Sequence, residues 1–114
     1  MYIELNKEKF TINYSNTFIK RLVGMSFKKK KLNSIYCFPN CNSIHTFFMF
    51  QNIDIIMTDK DGNILYTVEN MKPNRIILPK KNVYYTYEFS HDKELYKKLI
   101  NCNKVNLATE KKQN

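Results

Sequence analysis

The stretch from Ile53 to Glu69 constrains the fold more than any other part of the chain. Two apolar runs, IDIIMT and ILYTVE, flank an Asp61-Gly62 pair. An Asp-Gly dipeptide between β-prone segments favours the left-handed backbone that a tight hairpin needs. The spacing predicts one strand over Ile53 to Thr58 and a second over Ile64 to Glu69. Within the first strand, Asp54 lies between Ile53 and Ile55, so a carboxylate enters a stretch that otherwise reads as buried. Such a group needs a partner or a raised pKa.

Other segments carry the two-residue period of strands. Tyr2 to Leu5 and Lys9 to Tyr14 form a second hairpin, with Phe10, Ile12 and Tyr14 on one face and Asn6 and Lys7 at its turn. Ser34 to Phe38 is a strand stopped by Pro39 and Asn40, and Ile44 to Phe50 is a further β-branched and aromatic run. Tyr85, Tyr87 and Phe89 alternate with Thr86 and Glu88, which predicts an aromatic and a polar face. Lys104 to Leu107 supplies a last edge strand. Two segments have helical spacing. Thr17 to Met25 places Phe18, Leu22 and Met25 together after a Ser15 or Asn16 cap, and Lys93 to Ile100 places Leu95 and Leu99 together after Asp92. The fold class is therefore α+β, predominantly β. The expected architecture is a small, distorted or partly open β-barrel of seven to eight short strands with two flanking helices. Residues 1–108 are read as a single domain and 109–114 as a disordered tail.

At 114 residues the chain suits one domain. No window reaches the roughly 18 apolar residues of a membrane-spanning helix, and the charged first ten residues lack the core of a signal peptide. A soluble, cytoplasmic protein with no membrane partner is the expectation. Cys37, Cys41 and Cys102 are odd in number and contain no CxxC pair, as expected of free thiols. The formal charge of +9 marks a basic protein. All its cations except Arg21 and Arg75 are lysine, however, and arginine is the usual residue for forked contacts to phosphate and guanine. Codon bias in an AT-rich genome accounts for the abundance of lysine, asparagine and isoleucine, and the Lys28 to Lys31 run reads as a solvated loop.

The order NTFIKRLVGMSFKK, FPNCNSIHTFFM, IDIIMTDKDGNIL, NMKPNRI and a strand ending in YEF, over roughly residues 16 to 105, resembles the domain of unknown function 192 family. CNSIHTFFM is similar to a branch that carries cysteine, histidine and methionine at these places. The resemblance implies a compact, mostly β fold with Arg21, Gly24, Met49, Asp54, Pro73 and Glu88 at motif positions, and it implies no reaction. His91-Asp92 and Cys102-Asn103 stand where the resemblance leads one to expect a glycine turn and a Gly-Asp pair.

Candidate site residues follow. Arg21 and Asp54 form a candidate structural ion pair between helix and sheet; if buried, loss of either member would cost about 3–5 kcal/mol. Cys41, His45 and Met49 mark a candidate ligand-binding patch. Cys41 and His45 have the residue types of a nucleophile and base or of a zinc site, but four residues along a strand separate them by roughly 13 Å. DKDGN is no calcium loop, because its glycine comes too early and Asn70 replaces the bidentate glutamate. Tyr84, Tyr85, Tyr87 and Phe89 beside Lys80 and Lys81 offer stacking platforms for single-stranded nucleic acid, although core packing explains them more simply. No catalytic residue, cofactor or metal is assigned, and whether the chain is an enzyme is left open. The first functional reading is a non-catalytic binding or accessory module of unknown ligand. The second is a basic nucleic-acid-binding domain, and the third a small enzyme using Cys41 or His45. The sequence does not specify an oligomeric state.

Overall fold

A computed structural model describes residues 1–5, 8–14, 35–46, 49–102 and 104–108. Among these the chain runs β1 (Tyr2–Leu5), β2 (Glu8–Tyr14), β3 (Ile35–Phe38), β4 (Ile44–His45), β5 (Ile53–Thr58), β6 (Ile64–Met71), β7 (Ile76–Ile77), β8 (Tyr85–Ser90), α1 (Lys93–Asn101) and β9 (Leu107–Ala108). Seven strands form one sheet in the order β6-β5-β8-β3-β2-β1-β9, and β4 pairs with β7 in a second, two-stranded sheet. The fold is thus mostly β, as the alternating segments predict. Strands β1 and β2 pair antiparallel, with Tyr2 opposite Thr11 and Ile3 opposite Phe10. The first expected helix, Thr17 to Met25, lies outside the described residues, as do Lys28 to Lys31.

The large sheet is not closed by a continuous ladder, in contrast to a complete barrel. Its edge strands β6 and β9 are linked at their loop ends, where Asn63 bridges Lys104 and the Val105 amide donates to the Gly62 carbonyl at 2.7 Å.

Strand β5 organises the core. All six of its residues are buried, because β6 pairs with it on one side and β8 on the other while both faces are covered. Period-two alternation sends Ile53, Ile55 and Met57 into a cluster with Met49 and Met71. Ile56 points the other way, joining Ile3, Ile12, Ile35, Tyr87, Phe89, Tyr96 and Leu99. Each fully buried aliphatic side chain contributes about 2 kcal/mol. Helix α1 covers the second cluster with Tyr96 and Leu99. It begins where expected, because Asp92 has an extended backbone and its carboxylate accepts the Leu95 amide at 3.2 Å.

The reversal between β5 and β6 spans residues 59–63, the interval left between the two expected strands, and Gly62 has the left-handed backbone expected of the Asp-Gly pair, with φ 89°. Asp59 closes it by accepting the amides of Asp61 and Asn63 at 3.0 and 2.9 Å. The Asn63 side-chain amide adds a third bond, and these bonds, led by that of Asn63, hold the Asp59 carboxyl below its usual range. Strand β6 runs to Met71, beyond Glu69, because a register shift opposite Asp54 lets it keep pairing as far as Ile53. The strand expected over Ile44 to Phe50 stops at His45. Phe47 and Phe48 lie outside the described residues, and buried Thr46 binds the 72–75 segment. Thr86 and Glu88, expected on a polar face of β8, are buried, and on that face Thr86 bonds to Cys41 and Ser90 to Gln51.

Candidate functional site

The β5–β6 ladder places Ile55 opposite Val68 and Met57 opposite Tyr66. Residues directly opposite each other share a face, so these four side chains build one apolar wall. The wall across from it is Ile76, Ile77 and Leu78. Together with Thr67 and Lys80, the two walls enclose a groove of about 380 Å³, a size within the usual range for small-ligand sites. Ile55 and Met57 are buried, whereas Tyr66, Ile76 and Leu78 remain 45%, 58% and 69% exposed. Large apolar groups gathered at one place and left in water mark an interaction site more often than scattered ones do. The Lys80 ammonium stands over the Tyr66 ring, 5.2 Å from its centroid.

Thr46 holds the outer wall. It is fully buried, and its hydroxyl donates to the Lys72 carbonyl and accepts the Arg75 amide, both at 2.8 Å. Its own amide donates to the Arg75 carbonyl at 2.9 Å, and its carbonyl accepts the Asn74 amide at 3.0 Å. Asn74 adopts a positive φ of 61°, a conformation that asparagine tolerates. These bonds lead into the β4–β7 ladder, where His45 lies opposite Ile76 and Ile44 opposite Ile77.

The three residues of the expected patch occupy different positions around this wall. His45 is exposed on β4. Met49 is buried with Met57, Ile55 and Met71 behind the groove. Cys41 is half-buried; its thiol donates to the Ser43 carbonyl at 3.2 Å, and its carbonyl accepts the Thr86 hydroxyl at 2.8 Å. Tyr87 and Phe89 are packed in the core, so neither offers a face on which a base could stack.

Asp54 is buried and well supplied with donors. One carboxylate oxygen accepts the Asn70 amide at 2.7 Å and faces His91 Nδ1 at 2.8 Å. The other accepts the Asp92 amide at 2.9 Å. Asn70 reaches it through a positive φ of 59° at the β6 irregularity. Arg21, the partner expected for Asp54, lies outside the described residues. His91 and Asp92, which stand where a glycine turn was expected, therefore brace the aspartate.

A second carboxyl group is buried on β8. Glu88 lies between Ile55 of β5 and Tyr36 of β3, and burial pushes its carboxyl up to about 8. Its neighbours on the same face are tied to the chain before β5, Thr86 by its bond to Cys41 and Ser90 by donating to Gln51 Oε1 at 2.7 Å. Asp54 is opposite Phe89, and Glu88 is opposite Ile55. The two carboxyl groups thus leave the sheet on opposite faces and do not form an acid–base pair. Beside them, burial pushes the Cys37 thiol up to about 12 and raises the Tyr87 phenol even more. Among the described residues, no three His, Cys, Asp or Glu side chains gather as a metal site.

The groove was not read from the sequence, since its walls come from β5, β6 and the 76–78 segment and are brought together by the Thr46 contacts and the β4–β7 ladder. The run IILP, apolar and strand-like but followed by proline, was the available signal.

The DUF192 family model, described as Uncharacterized ACR, COG1430, matches residues 1–95. The UPF0127 protein PH1112 of Pyrococcus horikoshii is 36% identical over 81 residues, 68% of this chain and 70% of that protein. The UPF0127 protein PYRAB11210 of Pyrococcus abyssi is 32% identical over 81 residues, 68% of each chain. A crystal structure of a protein of unknown function from Novosphingobium aromaticivorans superposes with a TM-score of 0.68 at 14% identity. That similarity covers 86% of this chain and 75% of the other and bears on fold alone.

Proposed function

The chain belongs to the DUF192 family, whose function is uncharacterised, and from that premise we propose that it is a non-catalytic binding or accessory module that holds its ligand in the groove between β6 and β7. The groove itself carries this reading: fully buried Ile55 and Met57 form its floor, and exposed Tyr66, Ile76 and Leu78 form its walls. His45 extends the site along β4 beside Ile76, Met49 supports it from behind, and Cys41 anchors the incoming loop. Residues 1–108 act as one unit, a reading supported by the pairing of β1 with β9. We read the large sheet as a partly open barrel, on the strength of the Asn63–Lys104 bridge. The Arg21–Asp54 ion pair is retained as a proposal, to be tested by a double-mutant cycle in which a coupling near zero would remove it.

The test uses Nile red, a neutral dye whose emission rises in apolar surroundings. Wild-type protein should enhance its emission. Leu78→Ser and Ile76→Ser, at exposed positions, should reduce the enhancement without changing the melting temperature. If both variants enhance emission as the wild type does, the groove is not the site.

A second reading, catalysis, draws on the Asp54–His91 pair. A carboxylate that holds Nδ1 fixes the imidazole tautomer, as in acid–base dyads, and the His91 side chain is 35% exposed. Hydrolysis of an activated ester such as p-nitrophenyl acetate would support it if turnover exceeded that of His91→Ala at equal concentration. Equal rates would remove it.

A further inference from the structure

Resting on the reading of the groove as a binding site, we propose that its ligand is a monoanionic amphiphile: an unbranched alkyl chain lying along Ile55, Met57, Val68, Ile76 and Leu78 and ending in a carboxylate at Lys80. The charge pattern of the groove selects the sign. Among the described residues that line it, Lys80 is the charged one, and none is aspartate or glutamate. Among the described residues no carboxylate lies within ion-pair distance of the Lys80 ammonium, which rests on the Tyr66 ring instead.

A half-buried lysine on an aromatic face keeps its stem in apolar surroundings and its head at the rim. An anion arriving there is thus met by a cation that, among the described residues, no acidic side chain already occupies. A cationic ligand would be repelled from the same place, and a neutral one would leave the ammonium unmatched. Besides Lys80, the lining side chains with a polar atom are Tyr66, whose ring carries the Lys80 ammonium, and Thr67, whose hydroxyl is already bonded to Tyr96 at 2.7 Å. Recognition beyond the head is therefore apolar. The opposed aliphatic walls suit a flexible chain, which can follow the stagger of Val68, Ile76 and Leu78.

The experiment titrates decanoate, decanol and decyltrimethylammonium, all below their aggregation limits, into wild-type protein and into the Lys80→Gln and Leu78→Ser variants, with binding read by calorimetry. The expected result is that decanoate binds about fivefold more tightly than decanol, the range of a partly screened ion pair, and that decyltrimethylammonium binds more weakly than either. Lys80→Gln should abolish the preference for decanoate and leave decanol unchanged, and Leu78→Ser should weaken both. Equal binding of decanoate and decanol, both weakened by Leu78→Ser, would overturn the anionic ligand while sparing the groove. Binding of none of the three, or binding indifferent to Leu78→Ser, would overturn the groove and the ligand together.

Discussion

His91 Nδ1 stands 2.8 Å from Oδ1 of Asp54, and the same oxygen already accepts the Asn70 amide. In the tautomer with the proton on Nδ1, this oxygen accepts from both groups. This contact joins the start of β5 to the turn between β8 and α1, and the Asp92 amide adds a second link at the helix entrance.

Removing the aspartate strands buried donors on both sides of the junction. Asp54→Ala should therefore cost about 3 kcal/mol, the penalty of unsatisfied polar groups that had a charged acceptor. His91→Ala, at a partly exposed group, should cost about 1 kcal/mol or less after solvent screening. Urea unfolding of both variants checks the ranking, and equal costs would count against it.

The buried Glu88 carboxyl predicts a pH dependence. Its folded pKa is raised from 4.5 to about 8, so between those values the folded state binds more protons than the unfolded state. Stability contributed by the neutral carboxyl is full below about 4.5, declines as pH rises, and levels off above about 8. Glu88→Gln, which stays neutral, should lose this decline, with a difference from wild type on the order of 5 kcal/mol at high pH. Chemical denaturation across pH 5 to 9 is the measurement.

Gly62 has φ +89°, and a Cβ placed there would run into the Val105 carbonyl oxygen. Gly62→Ala carries both the left-handed backbone cost and this collision, so it should destabilise by about 2–3 kcal/mol. The Val105 amide, bonded to the Gly62 carbonyl, should lose hydrogen-exchange protection earlier than amides of β5.

Thr46→Val preserves shape but removes the hydroxyl that bonds Lys72 and Arg75. The Lys72 carbonyl and the Arg75 amide, both in part-buried bonds, lose their partner, which should cost about 2 kcal/mol. Because Thr46 seats the β7 wall, Nile red enhancement should fall along with stability. A loss of stability without a change in dye emission would separate the clasp from the groove.

Local periodicity determined much of this protein. The Ile53–Thr58 strand, the Tyr2–Tyr14 hairpin, the aromatic side of β8 and the Asp92-capped helix were all legible, because each rests on residues within a few positions of one another. The family was legible too, through motifs spread over the chain. What tertiary structure decided was how polar groups inside those elements are satisfied. Alternation marked Thr86 and Glu88 as a polar face, yet both are buried, and no periodicity within β8 records what packs on it. Asp54 was identified as buried, but its described partners, Asn70, His91 and Asp92, come from 16 to 38 residues away. The groove depends likewise on Thr46 binding a loop 26 to 29 residues further on. Sequence pattern specifies the faces of strands; only the meeting of distant segments specifies which faces become core and which become a binding surface.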